Sequence, residues 1–143
     1  MDRTNEATRV SFGYLSGFKG DDAVVFSGDS KGLASFATLL DAMADQPVGI
    51  TRVLDGEPLF LAQHGTRLTL TLTDKHPLGM RRMAGSSTPR LEWLISKSLA
   101  KRFAVVIRVL ASAPGGAHQY LDAGETDSIT VIASKGEYGR LTR

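Results

Sequence analysis

Apolar residues along this chain recur in two rhythms, and the rhythm changes at short breaks containing Gly, Ser, Asp or Pro. In residues 9–18 and 22–26, aromatic and β-branched side chains flank Lys19-Gly20-Asp21, the pattern of two strands joined by a hairpin turn. After Ser27-Gly28-Asp29-Ser30 the spacing lengthens: Leu33, Phe36, Leu40 and Met43 stand three, four and three apart. That is one face of a helix, capped by Asp29 or Ser30 and ended near Gln46-Pro47.

The middle of the chain predicts a meander, with strands at residues 48–54, 59–63 and 67–73. In the last of these Leu68, Leu70 and Leu72 alternate with Thr69, Thr71 and Thr73, so one face meets a core and the other meets water, as in an antiparallel sheet. Residues 78–83 and 90–95 predict two further strands around the loop Gly85-Ser-Ser-Thr-Pro89; Trp93, between Leu91 and Ile95, falls on the core face. Ser96 or Ser98 caps a second helix that runs to Ser112, with Leu99, Phe103, Val106, Ile107 and Leu110 on one wide stripe, until Pro114-Gly115-Gly116 stops it. Residues 118–122 and 128–134 close the pattern as a hairpin around Gly124, and 135–143 follow as a tail. The order β-β-α-β-β-β-β-α-β-β implies an α+β fold: a mainly antiparallel sheet with two helices packed on one face.

At 143 residues without an internal repeat, the chain reads as one α+β domain over residues 9–143, preceded by a flexible tail at 1–8. Such a length buries roughly two-thirds of the surface its unfolded chain exposes, enough for a core without staples. The absence of cysteine excludes thiolate zinc sites, iron–sulfur clusters and cysteine nucleophiles. No apolar run suggests a signal sequence or a membrane span, which makes the cytoplasm the default location. Net charge is +2, unevenly spread: residues 1–60 hold five Lys/Arg against nine Asp/Glu, residues 61–112 nine against two. A folded domain with that asymmetry can present a basic face to an acidic partner or a phosphate backbone.

Candidate chemistry is sparse. Ser30, between Gly28 and Gly32 at a strand-to-helix turn, has the setting of a nucleophile, but it needs a base, and none of His64, His76 and His118 stands in a hydrolase-type pairing. Asp29 and Ser30 are equally what an ordinary helix cap looks like. The same glycines lack the Gly-Lys-Ser/Thr ending of a phosphate loop. His118 and Asp122 are four apart, but the β-prone residues around them set them on a strand, without a second histidine or a cysteine to complete a metal site. Lys97, Lys101 and Arg108 share a solvent-facing stripe of the second helix, to which Arg81, Arg82 and Arg90 could add. No aromatic residues interleave with them and no nucleic-acid-binding signature is present.

The C-terminal third reads Pro114-Gly-Gly-Ala-His-Gln-Tyr-Leu-Asp122, then Ile129-Thr-Val-Ile-Ala-Ser-Lys-Gly-Glu-Tyr138. It resembles the ending of small bacterial immunity-type proteins found beside polymorphic or contact-dependent toxins, in which a His-x-Tyr-Leu-Asp strand precedes a Ser-Lys-Gly-Glu-Tyr strand end. The resemblance implies a cytoplasmic, non-catalytic α+β protein without cofactor or metal, which neutralises a cognate toxin protein by covering an essential surface. The matching residues are His118, Tyr120, Asp122, Lys135, Glu137 and Tyr138. With the helix stripe, the candidate partner-binding residues become Lys97, Lys101, Arg108, His118, Tyr120 and Asp122. Inhibitors of basic nucleases are usually strongly acidic and this chain is slightly basic, so either its acidic first third makes the contact or the toxin is of another kind. The alternatives from other classes are a small serine hydrolase using Ser30 and a nucleic-acid accessory protein using the basic helix face.

Overall fold

The computed structural model describes residues 9–18, 21–85, 87–124 and 129–136. The tail expected at residues 1–8, the turn residues Lys19 and Gly20, Ser86, Ser128, and Glu137 and Tyr138 therefore lie outside the described residues. Strand β1 (Val10–Phe18) pairs antiparallel with β2 (Asp21–Gly28), setting Phe12 opposite Phe26 and Tyr14 opposite Val24. Helix α1 (Ser30–Ala44) starts where Asp29, in extended conformation, accepts the Gly32 N–H at 2.8 Å; of the two capping candidates Asp29 is the cap. Its buried face carries Leu33, Phe36, Leu40 and Met43, as their spacing predicts.

Short strands β3 (Thr51–Val53) and β4 (Phe60–Ala62) flank a 3-10 turn at Leu54–Gly56. Then follow β5 (Arg67–Leu72), β6 (Gly79–Arg82) and β7 (Arg90–Ile95). Helix α2 (Lys97–Ser112) is capped by Ser96, whose hydroxyl accepts the Leu99 N–H at 3.1 Å. Strands β8 (Ala117–Tyr120) and β9 (Thr130–Lys135) complete the order.

The fold is α+β, but the single, mainly antiparallel sheet of the sequence reading is replaced by two mixed sheets, β4-β1-β2-β9-β8 and β3-β5-β7-β6. Strands β1/β2, β3/β5, β6/β7 and β8/β9 pair antiparallel, whereas β1/β4, β2/β9 and β5/β7 pair parallel. The reason lies in the connections. Three of the antiparallel pairs join strands adjacent in the chain, while each parallel pair joins strands separated by other elements, the crossover that parallel pairing requires. Alternation along β5 correctly buries its leucines and leaves its threonines half-buried, yet β5 is antiparallel to β3 and parallel to β7; periodicity reports which face is covered, not which way a neighbour runs. The sheets join where the Ile129 N–H donates to Met80 O at 2.8 Å.

Apart from a smaller cluster of Ala23, Val25 and Ile132 on the other face of the five-stranded sheet, the main core lies between the inner faces of the two sheets and the helices. Trp93 of β7 sits inside it, its ring 5.4 Å from Phe26 of β2, 6.0 Å from Phe103 of α2 and 6.4 Å from Phe36 of α1. Phe12 and Phe60 extend the cluster. Rings of this size each bury roughly 150–250 Å², so this contact chain carries much of the apolar burial. The helices lie side by side, tied at their surfaces by Arg108–Asp41 at 2.5 Å and Lys101–Asp45 at 3.8 Å. Among the described residues no helix is long and apolar enough to cross a membrane.

Candidate functional site

Where the start of α1 meets the end of α2, residues Ser27 to Ser30, Gly115, Gly116, Lys135 and Gly136 line an open cleft of about 460 Å³. Gly28 belongs here for a steric reason: a Cβ at this position would meet Val10 Cγ2 at 3.2 Å. Ser30 does not point a free hydroxyl into the cleft. Its Oγ donates to the Ala111 carbonyl at 2.8 Å, and Lys135 Nζ donates to the same carbonyl at 3.2 Å and to Ala113 O. The last carbonyls of a helix have no partner within it, and its C-terminus favours a cation, so both side chains complete the end of α2. A lysine serving as base to a serine must offer a lone pair. Lys135 instead donates to two carbonyls and makes no contact with the Ser30 hydroxyl among the described residues.

Of the six residues predicted to bind a partner, the structure brings His118 and Tyr120 together and sets Lys101 and Arg108 against α1. Lys101 and Arg108 reach from α2 to Asp45, just past α1, and to Asp41 on it, so two of the three cations of the helix stripe face carboxylates of the neighbouring helix. Lys97 stands exposed at the first position of α2. His118 and Tyr120 share one face of β8, their rings edge-on at 5.8 Å, and Tyr120 is exposed. Asp122 follows in a turn: its carboxylate accepts the Gly124 N–H at 2.8 Å, and its carbonyl accepts from Arg102 of α2 at 2.5 Å. Of the residues named by the C-terminal resemblance, Lys135 is the strut under α2. Among the described residues no group of three His, Asp or Glu could hold a metal ion.

A third region went unread in the sequence: the outer face of the four-stranded sheet. Leu68, Leu91 and Trp93 point to the core, so alternation turns Arg67, Thr69, Arg90 and Glu92 outward. Register then sets Arg67 beside Arg90, Thr69 beside Glu92, Glu92 opposite Arg81 and Val53 opposite Thr69, while Met83 N–H donates to Arg90 O at 2.7 Å. Between these side chains lies a hollow of about 170 Å³. Asp55 in the 3-10 turn accepts from Arg67 Nε at 3.0 Å and from the Leu68 N–H at 2.8 Å, and Arg81 donates to Glu92 Oε1 at 3.1 Å. Arg90 makes no side-chain hydrogen bond or ion pair among the described residues, and is exposed. Met83 beside it is 44% exposed, and Val53, across β5 on the far side of the hollow, is 47% exposed. Arg81 and Arg90 thus face away from α2 and do not extend its basic stripe. The single-strand patterns do mark Arg67 and Arg90 as outward; what they lack is the parallel register that makes neighbours of residues 23 positions apart.

Charge also gathers at the seam between the sheets, where Arg82 of β6 lies over the Tyr14 ring at 5.1 Å and the Tyr14 hydroxyl donates to Asp22 Oδ2. Desolvation, followed by the bond to Asp22, raises the Tyr14 hydroxyl above its ordinary value. That same bond, then the Gly17 N–H at 3.1 Å, holds the Asp22 carboxyl below its own. Compared with protein-family models, curated proteins and solved structures, the chain finds no significant match, so its functional reading rests on this geometry and on the residues themselves.

Proposed function

We propose that this protein is a non-catalytic, protein-binding inhibitor that docks its partner on the outer face of the four-stranded sheet. The observation that carries the reading is Arg90: an exposed guanidinium without a partner among the described residues, set between a second arginine and the exposed side chain of Met83. Arginine and methionine are enriched in protein interfaces, and surfaces that mix unspent charge with exposed apolar groups are characteristic of binding patches. The hydrolase alternative draws no comparable support, because the Ser30 hydroxyl and the Lys135 ammonium both donate to carbonyls. The narrower form, an immunity protein that neutralises a cognate bacterial toxin in the cytoplasm, is supported by the C-terminal sequence resemblance alone.

The test is a titration. Purified full-length chain is added to a toxin-like protein encoded beside its gene, and the toxin's activity is followed. The expected result is loss of activity at a one-to-one ratio, with Arg90→Glu shifting the titration to higher concentration. Activity that persists at a large excess of the chain would remove the inhibitor reading.

A further inference from the structure

The charges on the outer face of the four-stranded sheet do not balance, and the imbalance selects a ligand chemistry. Arg67 and Arg90 start from paired positions on neighbouring strands, where like charges destabilise a sheet. Asp55 neutralises Arg67 and Arg81 neutralises Glu92, so the surplus is one guanidinium, that of Arg90, with five N–H donors facing the hollow or the solvent. Resting on the protein-binding reading above, we infer that this hollow receives a single aspartate or glutamate side chain of the partner. The carboxylate bonds two-pronged to Arg90, and apolar residues flanking it in the partner segment cover Met83 on one side and Val53, across β5, on the other.

Size and charge favour that occupant. About 170 Å³ is below the roughly 300–1,000 Å³ of pockets that enclose cofactors and drug-sized ligands, but is room enough for one side chain. A guanidinium and a carboxylate match as fork to fork, which gives orientation as well as attraction. A nucleic-acid backbone fits less well: its successive phosphates would meet the Asp55 carboxylate and Val53 on the β3 side and the Glu92 carboxylate and Met83 on the β6 side.

The experiment is a selection from a random peptide display library on the full chain, with the enriched peptides measured by fluorescence anisotropy. The expected peptides carry an acidic residue next to apolar ones. Changing that acid to its amide, or Arg90→Gln in the protein, weakens binding tenfold or more, and the two changes together cost little beyond either one, as a directly coupled pair requires. Met83→Asp is the second variant; it weakens the same peptides while thermal unfolding confirms the fold. Peptides without an acidic residue, or peptides indifferent to both variants, overturn the inference yet leave protein binding standing. No enrichment over an Arg90→Gln counter-target also overturns it. Displacement of every selected peptide by a single-stranded oligonucleotide would make the face a nucleic-acid site, and the toxin titration then decides separately whether the inhibitor reading survives.

Discussion

The cleft between the helix ends and the hollow on the four-stranded sheet are both concave and both lined by charged and polar groups, but they differ in whether those groups are already engaged. In the cleft, Asp29 is used on Gly32, and Ser30 and Lys135 on the final carbonyls of α2. Around the hollow, Arg67 pairs with Asp55 and Glu92 with Arg81 just outside it, and Arg90 is left over. The larger cavity is therefore a joint of the fold, and the smaller one carries the unsatisfied bonding capacity that recognition needs. Volume and catalytic-looking residue types alone would have ranked them the other way.

Variants at the two places test that contrast through stability. The largest effect is expected for Lys135→Ala, which removes two charge-assisted bonds to α2 and should cost about 1.5–3 kcal/mol in urea denaturation. A cost near zero would mean that the cleft is not the joint described above. Ser30→Ala should cost about 1 kcal/mol through the bond to Ala111, again by denaturation. Unchanged stability together with loss of a measured ester-hydrolysis activity would instead make Ser30 a working nucleophile. Arg90→Gln should leave stability within about 0.5 kcal/mol, since an exposed side chain without a partner supports nothing within the described fold.

The smallest effect belongs to the seam. The folded Asp22 carboxyl titrates below its ordinary 3.8, so its contribution is present above that value and is lost as pH falls through the folded one. Tyr14 titrates above its ordinary 10.0, so its contribution is present below that value and is lost as pH rises through the folded one. Stability of the native chain relative to Tyr14→Phe should therefore be flat across neutral pH and narrow towards both extremes. A difference that stays constant across the whole range would show that the pair does not titrate as a unit.

Elements were legible in the sequence where neighbours along the chain decide them. The three-four-three spacing of Leu33, Phe36, Leu40 and Met43 marks α1, and the leucines of residues 68–72 mark the buried face of β5. Residues 48–54 read as one strand, but only Thr51–Val53 forms it: a turn precedes it, and Leu54 opens a 3-10 turn in which Asp55 holds Arg67 and the Leu68 N–H. Pairing was less legible. The parallel joining of β2 with β9 and of β5 with β7 depends on which apolar faces meet across long stretches of chain, and a local pattern carries no record of that. The helix stripe misled for a related reason: Lys101 and Arg108 look solvated on their own helix, and only the position of α1 shows them engaged with Asp45 and Asp41. Arg90 reads as an addition to that stripe, because the pairing of β5 with β7 that sets it on the outer face of the sheet leaves no local pattern.

The place of β9 in the five-stranded sheet has a consequence in time. This strand lies between β2 and β8, and about a hundred residues separate it from β2. During synthesis, β1 and β2 emerge early as a hairpin whose open side, from Ala23 to Gly28, waits for a strand that the ribosome makes much later. Until then, that side exposes unpaired backbone beside Val24 and Phe26, the arrangement most prone to capture by another chain. A nascent polypeptide stalled before residue 130 should therefore be held by a chaperone or aggregate, and release of the next few residues should free it.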